Sequence, residues 1–256
     1  MEECLVGGNT HEDVVRVGGT VRRPTGPWTP GVHAFLMHLA EQGYQGAPRV
    51  HGIDEQGREV LDYIDGVVVW PDHFELVQSE SGLVQVVESI RRLHDATASF
   101  DAFDRFTWSD GGADPTGPKE ILCHNDLAPW NLIQLRDEQW AFIDWDLAAP
   151  GRRSWDLAWA LLSFIPLMPA HDPGDERVLE RIKLFRDAYG ARDFPADVLT
   201  VAIDRCEREA KRIDRLGAAG EKPYARLLAE GHGRIWHDAA AHVAARAPDW
   251  QRALRE

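Results

Sequence analysis

Residues 121–133 read Ile121-Leu122-Cys123-His124-Asn125-Asp126-Leu127-Ala128-Pro129-Trp130-Asn131-Leu132-Ile133. The apolar runs at 121–123 and 132–133 predict two short buried strands. Between them stand a histidine, a carboxylate and an amide, which a loop anchored at both ends can hold in fixed positions. A second apolar run follows, Gln139-Trp140-Ala141-Phe142-Ile143-Asp144-Trp145-Asp146. It is expected to pair with Leu132–Leu135 through a hairpin at Arg136-Asp137-Glu138, which brings Asp144 to the mouth of the same loop.

The spacing His-x-Asp-x-x-x-x-Asn matches the catalytic loop of protein kinases, in which the Asp accepts the substrate's hydroxyl proton and the Asn holds magnesium. HNDLAPWN followed by FIDWDLAAPGRRSWDLAWA resembles, more narrowly, the aminoglycoside phosphotransferase and choline kinase group of small-molecule kinases. That group carries IDW or a similar tripeptide where protein kinases carry DFG, and an Asp-Leu-Ala further on, here Asp156-Leu157-Ala158. The resemblance implies an α+β, two-lobed, protein-kinase-like fold. A small antiparallel sheet lobe with one helix would span residues 1–66 and hold the nucleotide. A larger, mainly helical lobe, 67–256, would carry the catalytic loop and the acceptor. It also implies ATP or GTP as phosphoryl donor, Mg2+ as cofactor, Asp126 as the catalytic carboxylate, His124 as a brace for the loop, and Asn131 and Asp144 as metal ligands. Asp146 reads equally as a supporting carboxylate or as a plain strand end.

Composition is ordinary for a globular protein. The chain has 256 residues, 44% of them hydrophobic, enough for one large core or two small ones. No charged-then-apolar leader and no apolar run near membrane length is present, so a cytoplasmic protein without a membrane partner is expected. Cys4, Cys123 and Cys206 have no metal-like spacing and read as reduced thiols. Of the formal net charge of −14, all lies in residues 1–170, with 26 acids against 12 bases, while residues 171–256 hold 16 of each. Such a surface argues against nucleic acid as partner. The plain reading of the charge is solubility; the sharper one is a cleft that attracts a cationic acceptor.

Residues 5–23, LVGGNTHEDVVRVGGTVRR, predict three short strands, with Gly7-Gly8 in the first turn and Gly18-Gly19 as a tight hairpin. The resemblance puts Gly7 and Gly8 over the nucleotide phosphates, although ordinary turn chemistry explains them equally well. It also calls for a lysine on the third strand, and the first lysine of this chain is Lys119. An arginine must serve. Arg23 shares a strand face with apolar Val21 and is the first choice, with Arg22 next. A helix from about Gly31 to Gln42 follows, with nothing acidic between Pro24 and Ala40, so the family's helix glutamate has no counterpart. Ala47–Ile53 and Glu59–Gly66 read as two more strands around a turn at Glu55-Gln56-Gly57. By resemblance the backbone near Tyr63 and Ile64 would meet the purine edge.

Further helices are expected at Ser81–Ala98, capped by Ser79 or Ser81, at Ser154–Ile165, Gly174–Tyr189 and Pro195–Leu216, and at Tyr224–Ala245 with a break at Gly231–Gly233. The function expected is phosphoryl transfer to a hydroxyl of a small molecule, aminoglycosides and other antibiotics among the candidates. A kinase-like binding or regulatory protein is the alternative that the missing lysine and glutamate invite. A metal-dependent hydrolase would need histidines near Asp144, and the sequence has none there.

Overall fold

A computed structural model of the chain describes residues 2–5, 14–165, 167–169 and 174–255. These divide into two compact units, Met1–Arg153 and Ser154–Glu256. The lobe boundary expected at residue 66 falls inside the first unit.

The first unit opens with a five-stranded antiparallel sheet of order β1-β2-β3-β5-β4, formed by β1 (Glu2–Cys4), β2 (Val15–Val17), β3 (Thr20–Arg23), β4 (Val50–Ile53) and β5 (Glu59–Asp62). Gly18, at φ 62°, makes the β2–β3 turn, a conformation that costs glycine little. The register then places Val21 opposite Leu61 and Arg23 opposite Glu59. Between β3 and β4 the chain crosses by helix α1 (Thr29–Glu41), which has proline in its first turn and buries Val32, Phe35, Leu36 and Leu39. Each such side chain contributes roughly 1.5–3 kcal/mol by leaving water.

Beyond Asp62 the chain runs through β6 (Val67–Val68) and α2 (Glu75–Gln78) into α3 (Glu80–Thr97). Ser79 caps α3, its Oγ accepting the Gly82 N–H at 3.0 Å. A Cβ at Gly82 would lie 1.8 Å from the Leu76 carbonyl oxygen, so only glycine fits there. Strand β7 (Ile121–Cys123) pairs antiparallel with β10 (Ala149–Gly151). Strands β8 (Leu132–Gln134) and β9 (Trp140–Phe142) form the expected hairpin, with β6 on its open edge.

The second unit is helical: α4 (Arg153–Phe164, starting at the boundary), α5 (Asp175–Tyr189), α6 (Val198–Ala218), α7 (Tyr224–Ala229) and α8 (His232–Ala253). Gln251 meets Thr200 while His237 meets Asp214, so α6 and α8 run antiparallel along each other. The last predicted helix is two, divided at Gly231, whose φ of 83° caps α8. Arg205 is buried against two rings of α4, its guanidinium 4.8 Å from Trp155 and 4.7 Å from Trp159, and donates to the Trp155 carbonyl at 2.8 Å. Asp156 is fully buried within α4. All three cysteines are free thiols, and burial pushes that of Cys206 up to about 12. The α+β class, with an N-terminal antiparallel sheet and a helical C-terminal part, is the one expected from the sequence.

Candidate active site

Strand β7 is buried at all three residues and delivers the next, His124, into the interior with no exposed surface. The Asp126 N–H donates to His124 Nδ1 at 3.2 Å, so that nitrogen carries the lone pair and Nε2 carries the hydrogen it gives to the Ile143 carbonyl, at 3.1 Å. One neutral imidazole thus ties the candidate catalytic loop to the strand end opposite. Asn125 adopts φ 68°, which asparagine tolerates better than most residues, and its amide nitrogen donates to the Leu147 carbonyl at 2.8 Å. Gly112 backs this residue: a Cβ there would stand 2.7 Å from that of Asn125.

Asp126 follows with its carboxylate held from two sides. Oδ2 accepts from Asn131 Nδ2 at 2.7 Å and from Trp130 Nε1 at 3.1 Å. A single turn at Pro129–Asn131 brings both donors back to it. Asn131 is in turn fixed by its carbonyl, which accepts the Ile143 N–H at 2.9 Å, and this contact sets the next residue, Asp144, beside it. Asp144 takes φ 62° and leaves its side chain 35% exposed. Trp145 turns inward instead. It is 1% exposed, donates to the Phe142 carbonyl at 3.0 Å and lies 4.4 Å from the His124 ring and 5.7 Å from Phe35 of α1. Asp144 and Trp145 thus send successive side chains to opposite sides, one toward solvent and one into the core.

Arg23 reaches this place from β3. Its Nε donates to Glu59 Oε1 at 2.5 Å and Nη1 to Asp144 Oδ1 at 3.1 Å, while Nη2 pairs with Asp146. Burial works against the guanidinium's charge, but Asp146, Asp144 and Glu59 outweigh it and hold its pKa above the ordinary value. Glu59 is 1% exposed, and its other oxygen takes His33 Nε2 of α1 at 2.9 Å.

Comparison with known proteins gives the family. A model of the phosphotransferase enzyme family matches residues 111–195, the stretch holding the His124–Asn131 loop and the strand that ends at Asp144. The trifolitoxin immunity protein of Rhizobium leguminosarum bv. trifolii is 34% identical over 226 residues, covering 82% of this chain and 84% of that protein. The chain belongs to the aminoglycoside phosphotransferase family of phosphotransferase enzymes. Two solved structures share the family's kinase-like fold. A choline/ethanolamine kinase family protein from Mesorhizobium loti superposes with a TM-score of 0.65 at 18% identity, over 100% of this chain and 91% of its own. Spectinomycin phosphotransferase in complex with ADP and spectinomycin gives 0.64 at 10% identity, over 95% and 92%.

Within this phosphotransferase fold, Asp126, His124, Asn131, Asp144 and Arg23 converge. Arg22 does not: it faces the other way, donating to Thr20 Oγ1 at 2.5 Å with Asp54 3.6 Å from its Nε. The Tyr63 N–H donates to the Gly19 carbonyl at 2.9 Å and its ring lies under the Arg16 guanidinium, while Ile64 follows in the chain leading to β6. Gly7 and Gly8 lie outside the described residues. Glu59, His33, Trp130 and Trp145 also belong to the site, although the sequence reading gave them no part in it. Glu59 had one weak signal, an acid directly before the apolar pair Val60-Leu61.

The two side chains that could hold a metal offer hard oxygen: the Asp144 carboxylate and the carbonyl of the Asn131 side chain, whose nitrogen is turned to Asp126. One guanidinium meets three carboxylates here, so negative charge is in excess. That donor set fits Mg2+, which takes few protein oxygens and completes its shell with phosphates and water. Among the described residues no group of three or more His, Cys, Asp or Glu could by itself hold a metal ion, and a phosphate-shared magnesium ion requires none.

Proposed function

We propose that the protein transfers the γ-phosphoryl group of ATP or GTP to a hydroxyl of a small antibacterial molecule. The observation that carries this reading is the Asp126 carboxylate, fixed through Oδ2 by Asn131 and Trp130 beside the Asp144 strand end. Support for the acceptor class comes from relatives: one is a trifolitoxin immunity protein, and a structural neighbour was solved with ADP and spectinomycin.

In this reading Asp126 orients the acceptor hydroxyl and takes its proton as the oxygen attacks the γ-phosphorus. The bond to the β,γ-bridging oxygen breaks and the nucleoside diphosphate leaves with the electron pair. The transition state is loose, so positioning and charge balance supply most of the catalysis. Asn131 and Asp144 would hold Mg2+, which neutralises phosphate charge when bound. His124 keeps Asp126 and the Ile143 strand in register. Arg23 supplies the cation that a strand lysine gives elsewhere in the family. Residues 1–66 serve the donor and residues 67–256 the chemistry and the acceptor. The acidic surface of residues 1–170 favours a cationic acceptor.

A second reading, nucleotide or toxin binding without turnover, draws on one observation: Arg23 is engaged with Asp144 and Asp146, two carboxylates of the strand end. The test for both is to incubate the purified protein with Mg2+ and ATP or GTP and a panel of aminoglycosides, other antibiotics, choline-like alcohols and nucleosides. Acceptor-dependent release of ADP or GDP, with an acceptor one phosphoryl group heavier by mass spectrometry, supports transfer. Nucleotide binding with no acceptor-dependent release across the panel supports the second reading.

A further inference from the structure

We infer that Glu59 and His33 are positioning residues for Arg23, forming a strand-borne replacement for the family's lysine–glutamate pair in which the acid comes from β5 and the helix contributes an imidazole. This rests on the phosphotransfer reading above. The sequence lacks both usual partners, since its first lysine is Lys119 and no acid lies between Pro24 and Ala40. The structure supplies the pair differently. β3 and β5 are in a register that sets Arg23 directly opposite Glu59, and Nε meets Oε1 at 2.5 Å. The other carboxylate oxygen faces His33 Nε2 at 2.9 Å; a carboxylate only accepts, so Nε2 bears the hydrogen. Glu59 is 1% exposed, and a carboxylate that deep is tolerated only with both oxygens matched.

The choice of nitrogen matters. Nε is the guanidinium nitrogen nearest the backbone, so a carboxylate on it fixes the stem and sends Nη1 and Nη2 outward together. Here that fork lies on Asp144 and Asp146. Two parallel donors suit phosphate oxygens as they suit carboxylates. With donor and metal bound, the fork turns to phosphate while Nε stays on Glu59. His33 holds Glu59 from α1, the helix whose Phe35 packs on Trp145, so direct contacts link the arginine, the helix and the strand end beside Asn131.

The test measures nucleotide binding directly by titration calorimetry with Mg2+·ATP, Mg2+·GTP and the corresponding nucleosides. The proteins are wild type, Glu59→Gln, His33→Ala, Arg23→Gln and Glu59→Gln/Arg23→Gln, each checked for a cooperative melt. Glu59→Gln keeps the shape and removes the charge. It should weaken triphosphate binding by about tenfold, the scale of one charge-assisted hydrogen bond, and leave nucleoside binding unchanged. His33→Ala should do the same more weakly. In the Arg23→Gln background Glu59→Gln should add less than about twofold, because neighbours acting through one group are not additive. A folded Glu59→Gln protein with wild-type triphosphate affinity, or with triphosphate and nucleoside weakened equally, overturns the inference and leaves the phosphotransfer reading standing. Effects of Glu59→Gln and Arg23→Gln that multiply also overturn it. Wild type that binds neither triphosphate overturns both.

Discussion

Arg23 Nη1 stands 3.1 Å from Asp144 Oδ1, although 121 residues of sequence separate the two. The contact joins the N-terminal sheet to the strand that follows the catalytic loop, and it exists because β5 is inserted between β3 and β4 with a buried acid at its head. Under the proposed function a guanidinium in that position would have two duties, one to the fold and one to the ligand, and the two can be measured apart.

For the fold, Arg23→Ala leaves Glu59 as a buried carboxylate without its cation. Breaking such a pair costs about 3–5 kcal/mol, so the variant should melt at a clearly lower temperature. Adding Glu59→Gln should recover much of the loss, since the charge that lacked a partner is then gone. Thermal melts of the two proteins side by side check this, and a double variant no more stable than Arg23→Ala refutes it.

For the ligand, any Arg23 variant that still folds should bind Mg2+·nucleotide roughly ten- to a hundredfold more weakly. Arg22→Ala should stay within about twofold of wild type. Arg22 lies on the opposite strand face, donating to Thr20 Oγ1 with Asp54 3.6 Å from its Nε. Equal losses from the two arginines would show that strand alternation does not select the phosphate contact.

These contrasts also mark what sequence could tell. The conformation of the candidate loop was legible because it is local: His124 to Asp146 spans two strands and a hairpin, and the pairing Leu132 with Phe142 follows from the apolar pattern alone. Arg23 was legible from alternation with Val21. Glu59 was not, because its partner is fixed by the order of strands in the sheet, and no periodicity says that β5 and not β4 lies against β3. Trp145 was hidden for another reason. Alternation at Asp144-Trp145-Asp146 sets the indole on the face opposite the two carboxylates, but nothing local says that this face meets the His124 ring and Phe35 of α1.

Asp126→Asn should lower turnover by on the order of 10²–10⁴ while nucleotide affinity and melting temperature change little. The substituted amide can still accept from Asn131 and Trp130 through its oxygen, so the loop geometry survives while the proton acceptor is lost. Steady-state kinetics on an acceptor identified in the panel decide it. Turnover equal to wild type would remove Asp126 from the chemistry.

Asp144→Ala should abolish magnesium-dependent nucleotide binding. It also places a residue with a Cβ but no hydrogen-bonding side chain at φ 62°, a region in which Asp and Asn are favoured over alanine. Asp144→Asn separates the two effects, keeping the conformation and losing the charge. Asp144→Asn should therefore melt closer to wild type than Asp144→Ala and still fail to bind nucleotide in a magnesium-dependent way. Calorimetric titration with and without magnesium reads the second point directly.

The last prediction concerns the loop behind the catalytic residues. Asp114 folds this loop on itself: Oδ1 accepts the N–H groups of Thr116 at 3.2 Å and Gly117 at 3.0 Å, and Oδ2 takes Arg152 Nε at 2.7 Å. Two residues earlier, Gly112 lies against Asn125, so the shape of this loop bears on the catalytic one. Burial raises the Asp114 pKa, but Arg152 and the two backbone donors outweigh it and hold the group below the ordinary carboxylate value. A carboxylate depressed on folding stabilises the folded state above its unfolded pKa and loses that contribution as pH falls through the lower, folded one. Asp114→Asn should therefore cost about 1–3 kcal/mol near pH 7. The gap between variant and wild type should narrow as pH falls below about 4, the unfolded carboxylate value. Urea melts across that range measure the gap, and one that stays constant into acid would show that the charge on Asp114 does not hold the loop.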